Sequence, residues 1–111
     1  ETFGRPLMSR QVIRHDLVEM YRKIDVARTY ARSIVRKHTA GEAVLLEAVL
    51  AKNTAVAACD EVVDRAVQLH GGAGYMRDSE VERHYRDSRI IGIGGGATEV
   101  MTDLAAKLLD W

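Results

Sequence analysis

Proline is nearly absent from this chain, and its scarcity constrains the fold more than any other feature. One proline occurs in 111 residues, at Pro6. Proline lacks a backbone N–H and breaks helix interiors, so long stretches are left in which helices can form without interruption. The residues after Pro6 are therefore expected to form long helices.

The segment from Ser9 to Lys37 has the apolar repeat of a helix. Spacings of four and three residues place its apolar side chains on a single stripe. The stripe consists of Ile13, Leu17, Met20, Ile24, Ala27, Ala31 and Ile34. Ser9 is a candidate N-cap, because its hydroxyl can accept a hydrogen bond from a backbone N–H of the first turn. This segment predicts a first long helix with one apolar face.

A second long helix is predicted from Glu42 to His70, after a break at residues 38–41. Its apolar residues are denser than those of the first helix, and alanines occupy much of the remainder. A helix that is apolar on more than one face is usually packed on several sides. Gly71 and the glycines after it are suited to ending this helix. We therefore expect it at the centre of the fold.

Two shorter helices are predicted in the last third of the chain. Ser79 and Glu82 have the spacing of a capping box, which indicates a helix that runs to about residue 89. Within it, Glu82 and Arg86 are four residues apart and are expected to pair. A last helix is predicted from Thr98 to about residue 110. No segment shows convincing strand alternation, so the predicted fold class is all-α, an antiparallel helical bundle.

The composition excludes several classes of function. Sixteen basic residues balance sixteen acidic ones, which gives no electrostatic case for nucleic acid. No apolar run approaches the roughly 18 residues of a membrane span. The four histidines share no i,i+4 pair, and Cys59 is the only cysteine, so neither a metal site nor an internal disulfide is expected. A single cysteine fits a reducing compartment, and we expect a cytoplasmic protein.

A glycine run at residues 92–97 fits the dinucleotide-binding pattern GxGxxA letter by letter. That motif needs a preceding strand and a βαβ unit, and neither is predicted here. A phosphate-binding P-loop fails as well, because no Lys-Ser or Lys-Thr pair follows the glycines. Two interpretations of the glycine run stay open. The run is either a flexible connection between helices or a turn whose bare N–H groups suit an anion or a polar ligand edge.

Three stretches together resemble the C-terminal domain of acyl-CoA dehydrogenases, and the resemblance covers the whole chain in order. The stretches are Thr2–Leu7 with Gln11 and Leu17–Met20; Gln68–Tyr75 with Val81–Arg89; and Ile93–Val100. The middle stretch, which contains Gln68-Leu69-His70-Gly71-Gly72-Ala73-Gly74-Tyr75, is the most specific of the three.

The resemblance implies a flavin-dependent reaction. Members of the family oxidise acyl-CoA thioesters to 2,3-enoyl-CoA, with a glutamate removing the α-proton while a hydride leaves the β-carbon for the flavin of FAD. They are usually homotetramers or homodimers. Electron-transferring flavoprotein is their usual electron acceptor, and oxygen is the alternative acceptor. The alternative is a non-catalytic structural or binding subunit related to these enzymes.

The resemblance also implies roles for individual residues. Contacts to FAD are expected from Phe3, Gln11, Gln68, Leu69, His70, Gly71, Gly72, Ala97, Thr98 and Glu99. Within this set, Gln11 and residues 68–72 would touch the FAD of a partner subunit, and residues 97–99 the FAD of their own subunit. Gly95 and Gly96 would line the thioester end of the acyl-CoA site.

Two departures from the family pattern affect the predicted chemistry. Many members have their catalytic glutamate where this chain has Gly95, and glycine cannot act as a base. Gly or Ala also occupies this place in the long-chain and isovaleryl types, whose glutamate lies on an earlier helix. In addition, Ala97 replaces a usual threonine, and the family's flavin-contacting arginine would fall immediately before Glu1.

We expect residues 1–111 to be the C-terminal domain of a longer enzyme, a bundle that lacks its first helix. The N-terminal helical domain and the β-barrel middle domain of the family would precede it. The catalytic base would then lie upstream of Glu1 or be absent. On this reading the isolated chain binds FAD weakly, catalyses nothing and self-associates to cover an exposed apolar face.

Overall fold

The computed structural model describes residues 3–111 and places five α-helices in them. These are α1 (Gln11–Thr39), α2 (Leu45–His70), α3 (Gly72–Tyr75), α4 (Glu80–Ser88) and α5 (Thr98–Leu108). No strand occurs in this part of the chain, so the predicted all-α fold class is confirmed. Glu1 and Thr2, on which part of the first resembling stretch falls, lie outside the described residues.

Helices α1 and α2 form an antiparallel hairpin. Three ion pairs join them, and residue numbers rise along α1 as they fall along α2. The pairs are Asp16 with Arg65, Lys23 with Glu61, and Lys37 with Glu47. The predicted stripe of α1 carries its one buried residue, Ile34. The antiparallel arrangement expected from the sequence is therefore present in this hairpin.

Helix α2 is the central element of the fold. It packs against α1, α3, α4 and α5. Its buried residues are Val49, Ala51 and Val56, which are small or medium in size and let neighbouring helices approach closely. This confirms the prediction drawn from its dense apolar and alanine content. None of the helices in residues 3–111 has an apolar stretch of the length that a membrane crossing requires.

The start of α1 differs from the prediction. Ser9 is not the N-cap, because it lies in a 3₁₀ turn at Leu7–Ser9 and its hydroxyl donates to the Pro6 carbonyl at 2.8 Å. The Ser9 hydroxyl therefore forms its hydrogen bond in the turn that precedes α1 and does not cap the helix. Arg10 takes the N-cap position in extended backbone, and no side chain caps the first turn.

The start of α2 also lies later than predicted, at Leu45 instead of Glu42. Gly41 has a left-handed φ of 85°, and the Glu42 N–H donates back to the Lys37 carbonyl at 3.1 Å. These residues complete the C-terminal turn of α1. The chain therefore needs the next residues to change direction before α2 can begin.

Helices α3 and α4 bring one addition and one correction. The short α3 was not predicted, because two of its four residues are glycines. Ser79 does occupy the N-cap position of α4, but its side chain makes no capping hydrogen bond. The prediction of a capping box is therefore wrong. Glu82 instead accepts a hydrogen bond from Arg86 Nε at 3.1 Å, which confirms the predicted pair.

Candidate functional site

The predicted site residues fall into two groups at different positions along α2. One group lies around the C-terminal end of α2, near Gln68. The other lies in the glycine loop, residues 92–97, which contacts α2 near Asn53. Positions 53 and 68 are about 22 Å apart along a helix that rises 1.5 Å per residue. The two groups are therefore separate surfaces of the domain.

The first group is assembled by the antiparallel hairpin. Because Asp16 of α1 pairs with Arg65 of α2, the start of α1 lies beside the end of α2. Gln11 is exposed there, with its Nε2 atom 3.4 Å from His15 Nε2. Phe3 lies close by in the chain, with its ring 5.7 Å from the guanidinium carbon of Arg10.

Residues 68–72 complete the first group, and all of them except the half-buried Leu69 are exposed. His70 Nδ1 lies 2.8 Å from the Ala66 carbonyl oxygen. Since a carbonyl only accepts, Nδ1 carries the proton, and Nε2 is left as an acceptor in the neutral ring. The ring of His70 can therefore receive a hydrogen bond from a ligand.

Gly71 exposes the main chain of the first group, because it has no side chain. Its φ of 58° and ψ of −145° fall in a region that is essentially restricted to glycine. A Cβ atom at Gly71 or Gly72 would meet nothing within 4 Å. Backbone conformation, not crowding inside the domain, is what requires glycine at position 71. The outer side of this turn is open for close approach by a ligand.

The glycine loop of the second group is attached to α2 by polar side chains. Lys52 Nζ donates to the Gly96 carbonyl at 2.5 Å. Asn53 Nδ2 donates to the Thr98 carbonyl at 3.1 Å and lies 3.2 Å from the Thr102 hydroxyl. Underneath, Gly92 is buried, and a Cβ there would lie 3.3 Å from a methyl group of Val56.

The N–H groups of this loop are largely unused. The Gly94 N–H donates to the Ile90 carbonyl at 2.7 Å, and the next backbone hydrogen bond is from the Met101 N–H to the Ala97 carbonyl at 2.9 Å. Between them, the N–H groups of residues 95–100 find no acceptor among residues 3–111. Ala97, at the N-cap of α5, provides no side-chain oxygen. A row of free N–H groups at a helix N-terminus favours an anion or a carbonyl oxygen.

Ionisable groups do not single out a catalytic residue in either group. Three carboxyl groups have a lowered pKa, and none of them is a predicted site residue. Hydrogen bonding from Arg22 lowers the pKa of Glu19, and hydrogen bonding from Arg86 lowers that of Glu82. The pKa of Glu47 is lowered by a hydrogen bond from its own backbone N–H and then by one from Lys37. No cluster of His, Cys, Asp or Glu in the described part of the chain could hold a metal ion. Gly95 provides no side chain for acid–base chemistry.

Lys52 and Asn53 are the site residues that the sequence did not reveal. Both are polar residues in the middle of α2, and both are half-buried. A polar pair inside a helix predicted to be packed on several sides was the available signal. Its partners lie 44 and 45 residues away in the chain, however, so no local spacing pattern connects them to the loop.

The class of protein follows from comparison with known families. The family described as "acyl-CoA dehydrogenase, C-terminal domain" matches residues 1–109, and the chain belongs to this family. The match spans both groups of predicted site residues.

Individual relatives share this fold closely. A probable acyl-CoA dehydrogenase from Mycobacterium abscessus is 60% identical, with a TM-score of 0.95 over 98% of this chain and 29% of its own. Butyryl-CoA dehydrogenase from Megasphaera elsdenii is 32% identical, with a TM-score of 0.95 over 100% of this chain and 29% of its own. A 3-(aryl)acrylate reductase from Clostridium sporogenes is 36% identical over 96% of this chain and 28% of its own. The chain thus spans less than a third of the length of these relatives.

Proposed function

We propose that this chain is the C-terminal FAD- and acyl-CoA-contacting, oligomerising domain of a cytoplasmic flavoprotein that oxidises acyl-CoA to 2,3-enoyl-CoA. Membership in the acyl-CoA dehydrogenase family supports this proposal. The observation that carries it is the row of N–H groups at residues 95–100, in the glycine loop and the first turn of α5. These groups have no acceptor among the described residues, while the carbonyls of Gly96 and Thr98 are held against α2.

The two groups of site residues would serve two different FAD molecules. Residues 97–99 would contact the FAD of their own subunit, and Gln11 with residues 68–72 that of a partner. Their separation of about 22 Å along α2 supports this division. The open backbone at Gly71 and the bare N–H groups at the start of α5 both fit a ligand rich in oxygen acceptors, such as the pyrophosphate and ring edge of FAD.

In the reaction, this chain would bind and orient. FAD, when bound, supplies the acceptor for the hydride that leaves the β-carbon. Gly95 and Gly96 would line the thioester end of the substrate, where the absence of side chains allows close approach. Because Gly95 cannot remove the α-proton, the base would come from a glutamate on an earlier helix of the full-length protein, as in the long-chain and isovaleryl types.

Flavin content tests this proposal. The full-length protein should be purified with FAD bound and should reduce an artificial electron acceptor when acyl-CoA is added. The 111-residue chain, treated in the same way, should lose FAD on gel filtration and show no turnover. A full-length protein that takes up no FAD, even when supplied in excess, would overturn the assignment.

A non-catalytic binding subunit is the second candidate, and the glycine at position 95 is the observation that favours it. Gly95→Glu in the full-length protein separates the two. A Cβ at this position would meet nothing within 4 Å, although the φ of 65° makes a side chain somewhat strained. If the unmodified protein is inactive and the variant turns over acyl-CoA, the proposed upstream base is wrong.

A further inference from the structure

Lys52 and Asn53 attach the glycine loop to α2 on either side of Ala97. Lys52 holds the Gly96 carbonyl at 2.5 Å, and Asn53 holds the Thr98 carbonyl at 3.1 Å. The two residues are adjacent in α2. The loop itself contains Gly95 and Gly96, whose backbone has more conformational freedom than that of other residues. The loop therefore depends on contacts from outside for a defined orientation.

Holding a carbonyl also orients the N–H on the other side of the same peptide bond. The peptide unit is planar and trans, so its C=O and N–H point in opposite directions. The Gly96 carbonyl shares its peptide with the Ala97 N–H, and the Thr98 carbonyl shares its peptide with the Glu99 N–H. Turning the Gly96 oxygen toward α2 turns the Ala97 N–H away from it. The Thr98 oxygen already belongs to the first turn of α5, so Asn53 fixes the Glu99 N–H by holding that turn against α2. Both N–H groups belong to the row that has no acceptor among the described residues.

We propose that Lys52 and Asn53 are positioning residues that direct the N–H groups of Ala97 and Glu99 toward bound flavin by holding the Gly96 and Thr98 carbonyls. This inference rests on the proposed function, in which residues 97–99 contact FAD. Neither side chain needs to touch the flavin. The effect of Lys52 passes through the plane of one peptide bond, and that of Asn53 through the position of the first turn of α5.

Asn53 also joins α2 to α5. Its Nδ2 atom donates to the Thr98 carbonyl at 3.1 Å and lies 3.2 Å from the Thr102 hydroxyl. The Thr98 carbonyl accepts from the Thr102 hydroxyl at 2.8 Å as well, so it keeps a donor without Asn53. Loss of the Asn53 amide would therefore change how α5 sits on α2, and thermal stability is measured beside the flavin readouts for this reason.

The test uses three variants of the full-length FAD-bound protein. Lys52→Met and Asn53→Leu remove the donors, and Lys52→Arg keeps a charged donor. Lys37→Met is the matched control, because it removes the same charge from a lysine whose described partner is Glu47 and not the loop. FAD content and thermal stability are measured first, then the flavin absorbance spectrum, the flavin reduction potential, kcat and KM.

Lys52→Met and Asn53→Leu are expected to retain FAD while shifting the flavin spectrum and potential. Misplaced contacts should lower kcat about tenfold or more with little change in KM, because a displacement near 1 Å can cost up to about a hundredfold. Lys52→Arg should restore most of the activity, and Lys37→Met should behave like the unmodified protein. Unchanged spectrum, potential and kcat in both donor-removing variants would overturn the proposal.

Failure of the proposed function would give a different result. In that case the unmodified full-length protein would hold no flavin, and the orientation of the loop is judged on that same full-length protein by NMR. The N–H order parameters of Ala97 and Glu99 should fall from about 0.85 toward 0.6 or below in Lys52→Met and stay high in Lys37→Met. Equal order parameters in the two variants would show that Lys52 does not position the loop.

Discussion

At the residue scale, the neighbouring glycines Gly95 and Gly96 are constrained in different ways. Gly95 has a φ of 65° and open space where a Cβ would lie. Gly96 has a φ of 102°, and a Cβ there would overlap the terminal methyl group of Met101. The first lies in the left-handed helical region, which an alanine can enter at some cost. The φ of Gly96 lies beyond that region, so its backbone conformation and the Met101 side chain both disfavour a Cβ.

Alanine substitutions should separate these two constraints. We expect Gly95→Ala to lower the free energy of unfolding by about 1 kcal/mol, the cost of left-handed backbone. Gly96→Ala should lower it by about 2–3 kcal/mol, because its φ is less favourable and the Met101 side chain must turn away. Denaturant unfolding of the 111-residue chain measures both. A Met101→Ala background should recover part of the Gly96→Ala loss, and equal losses in the two single variants would contradict this account.

At the element scale, the sequence predicted what depends on local pattern. The apolar stripe predicted α1, and the dense apolar content predicted the central position of α2. The N-cap at Ser9 was wrong because the Pro6 carbonyl takes the hydroxyl in a preceding turn, which depends on local geometry that the residue type alone does not determine. The contacts of Lys52 with the loop were missed because they join positions 44 residues apart.

The docking of α3 on α2 depends on Gly74. A Cβ at this position would lie 2.7 Å from the Val67 carbonyl oxygen and 2.8 Å from His70 Cβ. One atom is backbone and the position of the other is set by the backbone, so neither can turn aside as the end of a flexible side chain could. Gly74→Ala should therefore push α3 away from α2 and lower the free energy of unfolding by about 1–3 kcal/mol. Denaturant unfolding of the chain measures the change.

Gly72 provides the matched control for α3. A Cβ there would meet nothing within 4 Å, and its φ is not left-handed. Gly72→Ala should leave stability unchanged or raise it by up to about 1 kcal/mol, because alanine is the better helix former. If the two alanine variants are equally stable, close approach of α3 to α2 is not what requires glycine at position 74.

Helix α4 should lose stability in acid through its Glu82–Arg86 pair. The hydrogen bond from Arg86 lowers the pKa of Glu82 below its ordinary value of 4.5. A lowered folded-state pKa means that the pair contributes stability above that value and loses it as pH falls through the folded-state pKa. The unmodified chain should therefore have a higher Tm than Glu82→Gln near neutral pH, and the two should converge in acid.

Thermal unfolding at a series of pH values measures this convergence. Glu82 is half-buried but Arg86 is exposed, so the difference in Tm should be small and should shrink further at high salt. In an Arg86→Gln background, Glu82→Gln should have little additional effect at any pH. A Tm difference that persists unchanged at low pH would show that Glu82 acts through packing and not through its charge.

At the scale of the whole molecule, the chain is more extended and more exposed than a compact domain of its length. Its radius of gyration is 17.3 Å, against about 13 Å for a compact domain of this length. Its accessible surface is 8170 Å², against about 6100 Å² for a folded monomer of this mass. The excess, about 2000 Å², is larger than the roughly 800 Å² that each partner buries in a specific interface of standard size. Large apolar side chains contribute to it along α1, including Val12, Val18, Tyr21 and Val26, each more than half exposed.

The isolated 111-residue chain should therefore self-associate. Burying this apolar surface between copies removes it from water, which is the main force for association. Sedimentation should show a mass that rises with protein concentration. Tyr21→Lys should weaken the association, because it places a charge on one of the most exposed apolar side chains of α1. Thr39→Lys adds the same charge to the same helix without removing apolar surface and should leave association unchanged. A monomer at every concentration would mean that the exposed surface of α1 does not drive association by itself.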